Sequence, residues 1–190
     1  WSNAAFWLVA GAIGGSIGCQ GLDMESPQGD RVIAALLEEF GAETRVALNQ
    51  ITATHKEMKG IRIDASQIPD LVPILCVAAA AAEGKTEIYN AGRLRMKESD
   101  RLAVMAECMQ KIGVEVEERP DSIIITGGCN PPEGEIVIDS HNDHRIVMAM
   151  AIAAVSLGVE LTILGAEAVN KSYPSFFIEL AKLGGVTNVL

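Results

Sequence analysis

Apolar and polar positions follow two periods along the chain. Residues 4–12, 71–83 and 145–157 are Ala-rich and apolar on most sides. A helix apolar all round is a buried helix, so three interior helices are predicted. Each runs through glycine (Gly14-Gly15, Gly84 or Gly158) into a strand-like stretch, at residues 16–22, 86–90 and 160–164. Three further segments have helical apolar spacing and end alike: Leu36-Leu37-Glu38-Glu39-Phe40-Gly41, Cys108-Met109-Gln110-Lys111-Ile112-Gly113 and Leu180-Ala181-Lys182-Leu183-Gly184. Gly41, Gly113 and Gly184 fall at nearly equal spacing, and each reads as a C-terminal helix cap.

Residues 60–64 and 134–139 alternate as strands do, and both end in Asp ahead of an Ala-rich helix. A βαβαββ unit therefore recurs three times, and its first copy lacks the opening strand. This order predicts an α/β (α+β) fold with helices packed beside sheets. The expectation is one lobe spanning 1–190, with pseudo-threefold symmetry and a truncated first unit. The Ala-rich helices should lie inside and the second helix of each unit should be more exposed. The abrupt apolar start, without Met, reads as a fragment of a longer protein.

Composition narrows the function classes. With 49% apolar and 21% charged residues, the chain has the surface needed to fold. The longest apolar run, 71–82, contains Pro73 and falls short of the ~18 residues of a membrane span. Residues 1–18 lack the basic region of a secretory signal. The four cysteines form no C-x-x-C pair, and Cys76 and Cys108 sit in apolar helical patterns. Buried, reduced thiols and a cytoplasmic location are expected. Fifteen basic against 25 acidic residues give a net charge of −10. Nucleic acid is thereby disfavoured as a partner, and aromatics at 4% offer no stacking platform.

Local charge runs against that acidic background. Arg93, Arg95, Lys97 and Arg101 crowd one strand-to-helix loop. A helix N-terminus favours phosphate or carboxylate, and Lys97 and Arg101, four apart, share a side of the first turn. Glu98 between them is a carboxylate placed to carry a proton. The same segment also fits a solvated helix start capped by Ser99 or Asp100. His141-Asn142-Asp143-His144-Arg145 opens the third Ala-rich helix, with Asn142 or Asp143 as cap. His144 and Arg145 then oppose the helix dipole, so an anion or a neighbouring carboxylate is needed. A metal site on His141 and His144 lacks a completing ligand at the usual spacing. Asp70 opens the middle Ala-rich helix, either as a cap or as a base for a hydroxyl. Lys171, in Asn170-Lys171-Ser172-Tyr173-Pro174, stands ahead of the last helix, whose first turn Pro174 suits. The glycines at 11–18 lack the Lys-Ser/Thr of a phosphate loop and read as a turn. Repetition places these helix starts on one edge, suited to a doubly anionic small molecule and proton transfer.

The strings Arg95-Met96-Lys97-Glu98-Ser99-Asp100-Arg101-Leu102, Asn142-Asp143-His144-Arg145 and Lys171-Ser172-Tyr173-Pro174 closely resemble the C-terminal half of the 5-enolpyruvylshikimate-3-phosphate synthase family. Ile68-Pro69-Asp70 and Ser2-Asn3-Ala4-Ala5-Phe6 add to the likeness, which runs the length of the chain. It implies one lobe of a two-lobed enolpyruvyl transferase, with the active site in the cleft. The implied partners are phosphoenolpyruvate, shikimate-3-phosphate and the N-terminal lobe, with no metal or organic cofactor, nucleic acid or membrane. By resemblance, Asp70 orients or deprotonates the 5-hydroxyl and Glu98 shuttles the proton at C3. Lys97 contacts shikimate-3-phosphate, Arg101 and Arg145 clamp phosphoenolpyruvate, and Lys171 stabilises the departing phosphate. His144 supports the site. Arg93 stands where some relatives carry Asn beside the shikimate phosphate. The sister family that uses a UDP-N-acetylglucosamine acceptor shares the fold, but Asn142-Asp143-His144-Arg145 favours the shikimate enzyme. A noncatalytic lobe is the alternative of a different class.

Overall fold

The computed structural model describes residues 1–188. Its inner layer is three helices: α1 (Ser2–Gly14), α3 (Val72–Ala81) and α5 (His144–Leu157). They pack on one another, and Phe6, Leu8, Ile74, Leu75 and Met148 are fully buried. Each fully buried large apolar side chain contributes about 1.5–3 kcal/mol. The outer helices are α2 (Ile33–Phe40), α4 (Arg101–Lys111) and α6 (Phe176–Lys182). Among the described residues, no helix is long and apolar enough to cross a membrane.

Three sheets surround the helices. β1 (Ser16–Gln20), β2 (Glu43–Ala47) and β3 (Gln50–Thr54) form an antiparallel sheet in the order β1-β3-β2. β4 (Arg62–Asp64), β5 (Lys85–Tyr89), β6 (Glu115–Arg119) and β7 (Ser122–Thr126) form a second sheet, ordered β4-β5-β7-β6. β4 runs parallel to β5, and β7 is antiparallel to both of its neighbours, β5 and β6. β8 (Val137–Asp139) and β9 (Thr162–Leu164) are a parallel pair. The mixture of helices with mostly antiparallel sheets is α+β. The order β1-β3-β2 has the sense of β5-β7-β6, and β8-β9 has that of β4-β5.

Gly41 is the C-cap of α2, as the pattern put it, while Gly113 and Gly184 follow one residue after the caps of α4 and α6, Ile112 and Leu183. Gly41, Gly113 and Gly184 all take positive φ, at 111, 82 and 99°. At Gly41 the N–H closes α2 on the Leu37 and Glu38 carbonyls. A Cβ there would lie 2.6 Å from the Glu57 carbonyl oxygen. Gly41→Ala is therefore expected to destabilise by about 1–2 kcal/mol, read as a lower urea midpoint at unchanged slope.

Several boundaries differ from the expectation. α6 starts at Phe176, so Pro174 precedes it instead of entering its first turn. Asp70 lies in a 3-10 turn, Pro69–Leu71, where its side chain caps nothing. α4 is far more buried than an outer helix was expected to be. It packs against α3, α5 and the β6-β7 hairpin, so Val104, Met105, Cys108 and Met109 are all covered. The four thiols are free, with Cys76 and Cys108 buried. Burial pushes Cys19 up to about 11 and Cys108 up to about 12, which leaves both protonated and unreactive near neutral pH.

Candidate active site

The site residues gather where α3, α4 and α5 begin. Asp143 is the cap of α5: its Oδ1 accepts the Arg145 N–H at 2.9 Å. Two consecutive left-handed residues, His141 (φ 49°) and Asn142 (φ 57°), bend the chain into this cap. Asp139 supports the bend by accepting the His141 N–H at 2.8 Å. Asp100 caps α4 in the same way, accepting the Ala103 N–H at 3.1 Å. Capping by aspartate satisfies amide groups that a helix start leaves unpaired.

Arg101, the first residue of α4, points inward and is 2% exposed, against Asp143 at 0%. Arg101 Nε donates to Asp143 Oδ2 at 2.8 Å, and Nη2 donates to Oδ1 at 3.2 Å. Ser99 Oγ donates to Asp143 Oδ2 at 3.2 Å. The remaining arm, Arg101 Nη1, reaches Asp70 Oδ1 at 2.9 Å. Lys97 Nζ lies 3.3 Å from the same oxygen. Arg145 Nη2 lies 3.4 Å from Asp70 Oδ2, and its Nη1 donates to the Asp70 carbonyl at 3.2 Å. Three cations thus converge on one half-buried carboxylate.

A second group adjoins the first. Glu98 Oε1 is 3.1 Å from His144 Nδ1, and its Oε2 is 3.4 Å from Lys171 Nζ. Lys171 also donates to the Asn142 carbonyl. Lys171 closes the 3-10 turn Ala166–Lys171, well ahead of α6, so it approaches from a turn and not from a helix start. Glu98 is 37% exposed, the most open of the three carboxylates.

Burial alone would raise both aspartates. For Asp70 the opposing Arg145, Lys97 and Arg101 charges prevail, and its carboxyl sits below the usual value. For Asp143 the Arg101 hydrogen bonds and charge prevail, aided by the Arg145 N–H and Ser99. Burial lowers Arg145, with Asp70 opposing. A carboxyl depressed in the folded state contributes stability above its unfolded value, about 3.9, and loses it as pH falls through the folded value. The urea midpoint is accordingly expected to hold on the way down to about pH 5 and to fall below about pH 4. Asp70→Asn should flatten that acid limb.

Of the eight residues singled out in the sequence, seven come together: Asp70, Lys97, Glu98, Arg101, His144, Arg145 and Lys171. Arg93 does not. It is exposed in the turn Gly92–Met96 and makes no side-chain hydrogen bond or ion pair among the described residues. Asp143 was missed as more than a cap. Its signal was the dipole conflict at His144 and Arg145, which called for a nearby carboxylate. Glu98, Asp143 and His144 bring ligand atoms within 4.8 Å of one another. They fit a metal poorly, because Asp143 already accepts from Arg101, Ser99 and the Arg145 amide, and Arg101 and Lys171 would repel a cation. A cleft of about 460 Å3 lined by residues of α2, β4 and β5 contains none of these groups.

The fold matches solved enolpyruvyl transferases. The chain superposes on the EPSP synthase of Acinetobacter baumannii with a TM-score of 0.79 and 33% identity, covering 98% of this chain and 46% of that one. It superposes on the enolpyruvyl transferase NikO from Streptomyces tendae with a TM-score of 0.74 at 20% identity, a likeness of fold alone, over 97% and 43%. The architecture is therefore that of an enolpyruvyl transferase. Residues 1–180 match the family model of EPSP synthase (3-phosphoshikimate 1-carboxyvinyltransferase). The 3-phosphoshikimate 1-carboxyvinyltransferase of Clostridium acetobutylicum is 48% identical over 185 residues, which is 97% of this chain and 42% of that protein. That of Pyrococcus abyssi is 43% identical over 183 residues, 96% of this chain and 44% of that protein. The chain belongs to the EPSP synthase family, and it spans less than half the length of these curated relatives.

Proposed function

We propose that this chain is the C-terminal lobe of an enzyme that transfers the enolpyruvyl group of phosphoenolpyruvate to the 5-hydroxyl of shikimate-3-phosphate, releasing phosphate. The observation that carries the reading is the convergence of Lys97, Arg101 and Arg145 on Asp70, beside the Glu98–His144–Lys171 group. Without substrate, the Asp70 carboxylate satisfies cations that an incoming carboxylate or phosphate can claim. Arg145 and Arg101 have the planar fork that such anions fit. Asp143 holds two of the Arg101 nitrogens, so Arg101 offers the arm now turned to Asp70.

Glu98 gives a proton to C3 of phosphoenolpyruvate while the 5-hydroxyl oxygen adds to C2 and passes its own proton to Asp70, from which the departing phosphate later takes it. A tetrahedral ketal phosphate results. Its collapse breaks the C2–O bond to phosphate, and Glu98 takes a proton back from C3. Lys171 offsets the charge of the departing phosphate, and His144 holds Glu98 in place. Lys97 contacts shikimate-3-phosphate. Asp70, lowered by three cations, is a weak base in this state. It orients the hydroxyl first and gains basicity as substrate anions draw those cations away. The N-terminal lobe closes the cleft and excludes water, so this chain alone is expected to show no turnover. We place the enzyme in the cytoplasm.

The test is phosphate release from phosphoenolpyruvate with shikimate-3-phosphate, by this chain alone and by the full-length protein. Release by the full-length protein only supports the reading. A folded full-length protein that is silent with shikimate-3-phosphate but active with UDP-N-acetylglucosamine would move it to the sister reaction. Silence with both leaves a noncatalytic lobe.

A further inference from the structure

Lys97, Glu98 and Ser99 are consecutive, yet each meets a different partner. Lys97 meets Asp70, Glu98 meets His144, and Ser99 meets Asp143. Such divergence from three successive residues requires a backbone held in one shape. The segment itself lies between the 3-10 turn Gly92–Met96 and the start of α4: the Lys97 N–H closes that turn on the Leu94 carbonyl at 3.3 Å, and beyond this bond neither helix nor sheet hydrogen bonding fixes Glu98 and Ser99.

Arg95 closes it. Arg95 Nη1 donates to both oxygens of Asp100, at 3.3 and 3.0 Å, bridging from one side of the three residues to the other. The same Asp100 caps α4. The rest of the guanidinium is anchored on the turn between β6 and β7. Nε donates to the Pro120 carbonyl at 2.9 Å. Nη2 donates to Glu118 Oε1 at 2.7 Å and to the Arg119 carbonyl at 2.8 Å. Asp121 fastens the near end, its carbonyl accepting the Ala91 N–H at 2.9 Å and its carboxylate accepting the Gly92 N–H. Every nitrogen of this half-buried fork has a partner, and none of those partners belongs to the site.

We propose that Arg95 is a positioning residue. It ties the segment carrying Lys97, Glu98 and Ser99 to the β6-β7 turn and sets their placement against α3 and α5. Lysine cannot replace it, because one ammonium group cannot reach Asp100, Glu118 and two turn carbonyls together. Reacting groups lose rate steeply with misplacement, about 100-fold for 1 Å. The kinetic consequence rests on the enolpyruvyl transfer reading given above. The placement itself does not.

The test compares Arg95→Ala and Arg95→Lys in the full-length protein with wild type. Phosphate release is measured, together with hydrogen exchange of the amides at 97–99 and in α3 and α5. Turnover is expected to fall about 10–100-fold in both variants, with KM for either substrate changed less than about threefold. Exchange should rise at 97–99 while α3 and α5 keep their protection. Wild-type turnover in Arg95→Ala would overturn the proposal. So would exchange that rises equally throughout, which marks a general loss of stability, or full rescue by lysine. If the wild-type protein releases no phosphate, the transfer reading falls, and the exchange at 97–99 then decides the positioning role by itself.

Discussion

Replacing Glu98 by glutamine or alanine in the full-length protein is expected to lower turnover by about 100- to 10,000-fold, the range of a lost general acid–base group. Glu98 is 37% exposed and set between His144 Nδ1 and Lys171 Nζ. In the proposed transfer that exposure lets it face C3 of phosphoenolpyruvate while two partners hold its direction. Glutamine keeps the length and one acceptor oxygen but carries no transferable proton. Both variants should therefore fail alike in turnover. Folding should barely respond in Glu98→Gln, whose amide keeps an acceptor for the buried His144, whereas Glu98→Ala leaves His144 Nδ1 without that partner at about 1–3 kcal/mol. Stopped phosphate release with an unchanged melting transition in Glu98→Gln is the expected pair of readings. Turnover within threefold of wild type in Glu98→Gln would remove Glu98 from the proton path.

The opposite behaviour is expected of Arg101 and Asp143. Arg101→Ala leaves Asp143, at 0% exposure, without its charge partner and opens space beside it. Breaking one side of a buried ion pair costs about 3–5 kcal/mol. A whole domain is stable by only about 5–15 kcal/mol, so a third or more of the total is at stake. Asp143→Ala should cost as much, because it leaves Nε and Nη2 of buried Arg101 unpaired, Nη1 keeping Asp70, and removes the cap of α5 as well. The two changes share one contact, so together they should cost less than the sum of the singles. Urea denaturation of the four species measures this. Strict additivity would show that the pair does not act as a unit. Arg101→Lys separates charge from fork. It retains a cation but not the simultaneous reach to Asp143 and Asp70.

These two predictions differ because burial differs, and burial was only partly legible along the chain. The all-apolar stretches announced α1, α3 and α5 as interior helices. The same reasoning misjudged α4, whose polar positions at Glu107, Gln110 and Lys111 form a narrow strip. The identity of the cluster was legible through motifs, since Lys97, Glu98, His144, Arg145 and Lys171 stand in strings too specific to arise from helix formation. Arg93 came from the same basic run but faces solvent, because the three-residue turns of Gly92–Met96 bury Leu94 and leave Arg93 and Met96, three apart, on the outer side. Arg95, read only as part of that run, became a structural fork. Nothing local to residue 95 indicates the Arg119 and Pro120 carbonyls that receive it.

Periodicity, glycine caps and aspartate caps depend on neighbours within a turn of helix or a strand pair. Such neighbours are enough to settle the inner helices, the glycine stops that follow the outer ones and the edge on which charged residues would collect, but not every cap, since Asp70 caps nothing. Pairings such as Arg101 with Asp143, or Lys97 and Arg145 with Asp70, join residues far apart in the chain. Their energies depend on solvent exclusion and on distances of about 3 Å, which exist only once α3, α4 and α5 have packed. Only packing settles which cations are bound internally, that Glu98 and Asp70 keep about a third of their surface in solvent while Asp143 is closed off, and that Asp143 holds the cluster together.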